Sequence, residues 1–116
     1  MTVLNPVEIE SKILGITNRI SKGISVFTER YDKFMAADRD YDLSFARAYL
    51  GAEGSIEDKK KRAIVSTHDL RTARDVAEVE FKQADKLLRA LELELRALQS
   101  IGASVRQQYS VAGRGE

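Results

Sequence analysis

The apolar residues of the N-terminal half recur at steps of three and four, the spacing of one face of an α-helix. They are Ile13, Ile16, Ile20, Ile24, Phe27, Tyr31 and Phe34, followed by Tyr41, Phe45 and Tyr49. Asn5 can cap a helix, Pro6 suits the first helical position, and Glu8 completes a capping box. The pattern predicts a first helix over residues 6–50.

The C-terminal half carries the seven-residue repeats of a coiled coil. One set of repeated positions is Phe81, Leu88, Leu95, Gly102 and Tyr109, and the other is Ala77, Ala84, Leu91, Leu98 and Val105. We call these two sets the seam. In the same register, Lys60, Thr67 and Arg74 fall at positions that favour apolar residues. The seam is therefore expected to be strong from residue 77 onward and weak before it.

The apolar face of this half is wider than a two-helix hairpin needs, because Leu87 and Ile101 lie beside the seam. The surplus predicts contact with other subunits. We expect the oligomer interface to comprise Phe81, Leu88, Leu91, Leu95, Leu98, Ile101, Gly102 and Val105.

Two glycines in the segment Gly51 to Gly54 separate the halves and predict a turn over residues 51–54. Ser55 then caps a second helix, with Asp58 at its third position. This helix is expected over residues 55–109, followed by a disordered tail over residues 110–116. The sequence thus predicts one all-α domain over residues 1–116, a long antiparallel helical hairpin that forms a coiled coil and assembles into a homo-oligomer.

Composition argues against several classes of function. The 116 residues include no cysteine and one histidine, His68, so a disulfide framework, a thiolate zinc site and a thiol nucleophile are excluded. Carboxylates are numerous, but a thin hairpin rarely forms the concave site that catalysis needs. We expect no enzyme activity, no metal and no cofactor. With no apolar run of about 20 residues and no signal sequence, we expect no membrane association and a cytoplasmic location.

The charges of the second half are segregated. Residues 59–74 contain six basic residues and one acidic residue, whereas residues 75–95 contain six acidic and three basic residues. The run Lys59, Lys60, Lys61, Arg62 lies at a helix start, where cations and unpaired backbone N–H groups both suit phosphate. With Arg47 across the turn, and Arg71 and Arg74 further along, it predicts a nucleic-acid-binding surface. A merely solvated turn is the alternative.

Residues 97–106 read ALQSIGASVR, and residues 46–51 read ARAYLG, a basic, tyrosine-containing segment before a glycine-rich turn. The first segment resembles the C-terminal helix, and the second the basic segment before the turn, of the UvsY family, the recombination mediators of T-even bacteriophages. The resemblance implies a ring-forming helical oligomer that binds single-stranded DNA. It further implies that the protein helps load a RecA-like recombinase onto DNA covered by single-strand binding protein, in the host cytoplasm.

The resemblance would make Arg47 a DNA contact. The family places a lysine just ahead of this arginine, where this chain has an apolar or small residue, which weakens that assignment. The competing hypothesis from another class is a non-enzymatic helical scaffold or assembly protein, such as a phage structural or adaptor protein, that binds only proteins.

Overall fold

The computed structural model describes residues 5–114, and this part of the chain is all-α, as predicted. Helix α1 spans Pro6–Gly51, α2 spans Ile56–Ser66 and α3 spans His68–Arg114. Among the described residues there is no β-strand. Helix α1 begins at the predicted residue and ends one residue later than predicted.

Side chains cap the first two helices as the sequence indicates. The backbone N–H of Glu8 donates to Asn5 Oδ1 at 2.9 Å. At the start of α2, the N–H of Asp58 donates to Ser55 Oγ at 3.1 Å, and the N–H of Ser55 donates to the Asp58 carboxylate at 3.4 Å. These bonds satisfy N–H groups that have no partner within the helix, so they fix where each helix begins.

The reversal between α1 and α2 depends on Gly54. Its φ of 111° lies in the left-handed region, which glycine adopts without steric cost. A Cβ at this position would also lie 3.1 Å from Asp58 Cβ. Because α1 continues through Gly51, the reversal occupies residues 52–55 rather than the predicted 51–54.

The predicted continuous second helix over residues 55–109 is wrong, because it is interrupted at Thr67. The Thr67 hydroxyl donates to the carbonyl of Ala63 at 2.6 Å, and the Thr67 N–H donates to the same carbonyl at 3.1 Å. The backbone of Thr67 has φ −109° and ψ 11°, outside the α-helical region, and this separates α2 from α3. The Arg71 N–H still donates to the Thr67 carbonyl at 3.0 Å, so helical bonding resumes at once.

The C-terminal end also differs from the prediction. Helix α3 continues to Arg114, so residues 110–114 are helical where a disordered tail was expected. Residues 115 and 116 lie outside the described part of the chain. The glycine at position 113 did not end the helix, although a glycine there suggested a flexible tail.

The described chain forms two compact units, and α1 and α3 contribute to both. The first unit combines the chain up to Ser25 with the chain from Lys86 onward, and the second comprises Val26–Asp85. In the first unit, a Cβ on Gly102 would lie 3.2 Å from Ile9 Cγ2, and a Cβ on Gly23 would lie 3.2 Å from Leu88 Cδ1. Ile9 and Gly23 are fourteen residues apart on α1, and their partners Gly102 and Leu88 are fourteen residues apart on α3 in the opposite direction. The two helices are antiparallel there and keep one register over two heptads.

Aromatic rings and small side chains share the core of the second unit. The Phe81 ring centroid lies 4.9 Å from that of Phe34 and 6.3 Å from that of Phe27. Elsewhere in this unit Ala63, Ala77 and Ala84 are buried. Alanine at these positions lets helix backbones approach closely, and the aromatic rings fill the space between α1 and α3 around Phe81.

The buried positions of α1 keep to a heptad repeat more closely than the positions of its large apolar residues do. Half-buried or buried positions recur at alternating steps of four and three, and they include Gly23 and Arg30. The predicted stripe residues Ile24 and Tyr31 are instead 51% and 40% exposed. The error arose because glycine and arginine carry no apolar signal, so the neighbouring large residue was assigned to the core.

Candidate nucleic-acid interface

The predicted basic residues on either side of the turn lie in the second unit, on the last turns of α1 and on α2. Arg47 is exposed on α1, and Lys60, Lys61 and Arg62 are exposed on α2. The capped start of α2 and the reversal at Gly54 fix this arrangement. The structure therefore keeps the turn-proximal part of the predicted site together on one supersecondary element.

These cations differ in whether they have partners. Lys59 is half-buried, and its Nζ lies 6.0 Å from the centroid of the Tyr49 ring, at the outer limit of a cation–π contact. Lys60 lies 3.9 Å from Glu57, an exposed pair of small energetic value. Within residues 5–114, Arg47, Lys61 and Arg62 make no salt bridge. Of the basic residues predicted for this site, these three are therefore exposed and free of salt bridges within the described residues.

The cations of α2 point to different sides of the helix, because successive residues are 100° apart. Lys60 lines a groove of about 430 Å³ together with residues of α1. Lys61 and Arg62 line a second hollow of about 310 Å³, with Val65 and Ser66. An extended anion that curves around α2 can reach both sides, whereas a flat surface can engage only one.

Arg74 does not join this site. Its Nε donates to Asp38, its Nη1 lies 3.5 Å from Asp75 and 3.6 Å from Glu78, and its guanidinium lies 5.4 Å from the Phe34 ring centroid. The hydrogen bond to Asp38, more than any other contact, raises the pKa of Arg74. These contacts join α3 to α1 and occupy the guanidinium of Arg74, whose role in nucleic-acid binding stays a prediction.

Arg71 is exposed, and its Nε lies 4.0 Å from Asp75 on the next turn. Asp75 also lies 3.5 Å from Nη1 of Arg74, so the two arginines share this carboxylate. Nearby, Lys82 Nζ lies 2.7 Å from the Glu78 carboxylate, and this hydrogen bond is the main cause that lowers the pKa of Glu78. The surroundings of Arg71 are thus less suited to a phosphate than those of Lys61 and Arg62.

Most of the predicted oligomer interface faces the chain's own α1. Phe81 packs against aromatic rings of α1 in the second unit, and Leu88 and Gly102 contact α1 in the first. Half-buried positions of the same seam are Leu91, Leu95, Leu98 and Val105. The pattern read as a subunit interface is therefore largely an intrachain interface. Ile101, at 43% exposure, is the exception.

A second apolar face runs along α3 within the first unit. It consists of Leu87, Ala90, Leu93, Ala97 and Ile101, all exposed, and we call it the outer face of α3. Leu93 is 63% exposed. At 100° per residue, these side chains lie about a third of a turn around the helix from the seam. This face remains available after α3 has packed on α1.

Sequence reasoning missed the partner of Arg74 and the apolar lining beside Lys60. The Arg74 to Asp38 pair follows from the hairpin register, which the charge pattern alone does not reveal. Leu50 and Ile64 are the exposed apolar residues of the groove and lie on either side of the turn. Two isolated apolar residues in the sequence are only a weak indication of a groove. Within residues 5–114 no group of three or more potential ligands could hold a metal ion. Nor is any helix in this part of the chain long and apolar enough to cross a membrane.

Comparison with known proteins leaves the chain without an assigned family, since no family model, curated protein or solved structure matches it.

Proposed function

We propose that this chain is a single-stranded-DNA-binding recombination mediator, a non-enzymatic homo-oligomer that helps load a RecA-like recombinase onto DNA covered by single-strand binding protein. The observation that carries the proposal is the clustering of basic residues at the reversal between α1 and α2, where Arg47, Lys61 and Arg62 are exposed and make no salt bridge within residues 5–114. The mediator role rests on the resemblance of residues 46–51 and 97–106 to the UvsY family. If the chain is encoded by a phage, it acts in the host cytoplasm.

Phosphate binding explains why four consecutive basic residues, Lys59 to Arg62, are concentrated in the first two turns of α2. Ser55 and Asp58 satisfy part of the helix end, and Glu57 partly offsets Lys60. Lys61 and Arg62 have no such compensation. A polyanion supplies it, because each phosphate that a cation neutralises releases condensed counterions.

Self-association supports the proposal because an oligomer carries several copies of a site that binds DNA weakly on its own. Repeating the surface in several subunits converts later contacts with one strand into intramolecular ones, and avidity then rises by about 10²–10⁴ over one site. The outer face of α3 provides the apolar surface for this assembly. We assign the subunit contacts to that face rather than to the seam.

The test is the affinity for a fluorescent oligothymidine, measured by anisotropy at low salt. The double variant Lys61→Ala/Arg62→Ala should bind about tenfold more weakly, since each exposed contact to a charged group contributes up to about 1 kcal/mol. The control is Lys22→Ala/Lys86→Ala, which removes two exposed cations from the first unit and the same net charge. It should bind like the wild type.

Equal losses in both variants would show that only net charge matters and would remove α2 as the site. Absence of binding by the intact wild-type protein at low salt contradicts the proposal altogether. That result would favour the helical scaffold or assembly protein that binds only proteins.

A further inference from the structure

A groove between the end of α1 and α2 lies beside the unpaired cations and is not explained by phosphate binding. All of it lies in the second unit, and its volume is about 430 Å³, within the range of small-ligand sites. The residues that line it are Phe45, Ala46, Tyr49, Leu50, Lys60 and Ile64.

Two large apolar side chains that line the groove are exposed to solvent. Leu50 is 79% exposed and Ile64 is 51% exposed, on facing helices. Five of the six lining residues are apolar or aromatic, and the sixth, Lys60, carries a positive charge. A suitable occupant therefore has an apolar surface and is attached to an anion. This combination describes a nucleotide unit, whose base is largely apolar on its faces and whose phosphate is charged.

We propose that this groove binds an unpaired nucleobase of the strand whose phosphates contact Lys61 and Arg62. The inference rests on the proposed function and deepens it, because it states how the site distinguishes single strands from duplexes. In a duplex the bases are stacked and paired, so none can enter the groove without an unpairing cost of a few kcal/mol. A single strand presents its bases freely.

The arrangement of the cations favours a nucleic acid strand over an anionic polypeptide. Lys60 lies at the groove, whereas Lys61 and Arg62 lie at the other hollow on α2. A peptide seated in the groove would leave Lys61 and Arg62 unused. A strand with a charge on every unit can place one base in the groove and continue around α2 to both remaining cations.

The experiment compares two oligomers of equal length and equal charge, an oligothymidine and an abasic oligomer. The wild type should bind the oligothymidine about five- to tenfold more tightly, the lower part of the range for stacking of one base on a protein side chain. Leu50→Ala/Ile64→Ala should abolish this preference while leaving the affinity for the abasic oligomer unchanged.

A matched control exists on the same two helices. Leu43 and Ile56 are exposed to similar extents, 52% and 65%, but do not line the groove. Leu43→Ala/Ile56→Ala removes the same atoms and should keep the preference for oligothymidine. Circular dichroism of both variants checks that the helices are intact.

The outcomes separate the two proposals. Equal binding of both oligomers by the wild type overturns the groove inference, leaves the phosphate site standing, and points to an apolar side chain of an anionic protein as the occupant. Loss of preference in both double variants also overturns it, since the effect would then be general. Absence of binding to either oligomer contradicts the proposed function itself.

Discussion

Gly102 of α3 lies so close to Ile9 of α1 that a Cβ on the glycine would be 3.2 Å from Ile9 Cγ2. Ile9 is buried, at 1% exposure, so it has little freedom to move away. The glycine occupies a seam position where a coiled coil favours leucine, and this contact explains the exception. The close crossing lies within the chain's own first unit.

We predict that Gly102→Leu lowers the melting temperature. Overpacking costs about 1–3 kcal/mol, and the helix propensity gained, about 1 kcal/mol, does not offset a side chain of four heavy atoms beside Ile9. The control is Gly15→Ala, because a Cβ on Gly15 meets nothing within 4 Å. That substitution should raise stability by up to about 1 kcal/mol. Thermal unfolding at one fixed protein concentration measures both, and a stabilised Gly102→Leu variant would refute the close contact.

Much of the fold was predictable because local signals agree with one another. The caps at Asn5 and Ser55 and the glycine of the turn fixed where α1 and α2 begin. The break at Thr67 was not predictable from periodicity, because the heptad register continues across it and the backbone angles of Thr67 alone mark it. The hydrogen bond of its hydroxyl does not distinguish it, since Thr17 and Thr72 make the same bond inside continuous helices. Assignment of the seam to contacts within the chain also required coordinates, since intrachain and intersubunit coiled coils share one pattern.

The candidate site was also predictable from the sequence only in part. A run of basic residues just after the turn is visible in the sequence, so the basic character of Lys61 and Arg62 could be read from it. Whether a cation is already neutralised depends on residues distant along the chain. Arg74 pairs with Asp38, which is 36 positions away. For this reason the sequence could not separate binding cations from structural ones.

Arg74 and the pair Lys61 and Arg62 should therefore show opposite phenotypes. Arg74→Met keeps much of the side-chain volume but leaves Asp38 without its hydrogen-bond donor, so the melting temperature should fall while the affinity for oligothymidine per folded molecule stays within about twofold. Lys61→Ala/Arg62→Ala should do the reverse. Differential scanning fluorimetry and anisotropy on the same samples test this, and loss of DNA binding in well-folded Arg74→Met would return Arg74 to the site.

The pH dependence of stability should include a contribution from Glu78. Lys82 lowers the pKa of Glu78 below its ordinary value, so the folded state binds a proton more weakly than the unfolded state does. The contribution is fully present above the ordinary glutamate pKa, about 4.3, and is lost as the pH falls through the lower folded pKa. Melting temperatures from pH 7 to pH 3 should fall less steeply for Glu78→Gln than for the wild type. Parallel curves for the two proteins would contradict the assignment.

Assembly should depend on the outer face of α3 more than on the seam. Leu93→Glu/Ile101→Glu places two charges on this exposed face, where they cost little in a monomer but much in an apolar subunit contact. We expect light scattering to show a smaller mass with unchanged helix content. Leu95→Glu, at a half-buried seam position, should instead lower the melting temperature. A wild-type monomer at micromolar concentration, or a double variant of undiminished mass, would disprove this interface.

The salt dependence of DNA binding provides the most quantitative prediction. For single strands, the logarithm of the affinity falls with the logarithm of the salt concentration at a slope of about −0.7 per phosphate contact. Removing Lys61 and Arg62 should therefore make the slope shallower by about 1.4 for each subunit engaged. Lys22→Ala/Lys86→Ala should leave it unchanged.

The same measurement distinguishes the groove from the cations, because removing an apolar contact releases no counterion. Leu50→Ala/Ile64→Ala should weaken oligothymidine binding equally at every salt concentration and leave the slope as in the wild type. Lys61→Ala/Arg62→Ala should lose most affinity at low salt and approach the wild type as salt rises, since the phosphate contribution it removes is then screened in both. If the two double variants gave the same slope, the division of this surface into a phosphate site and a base site would be wrong.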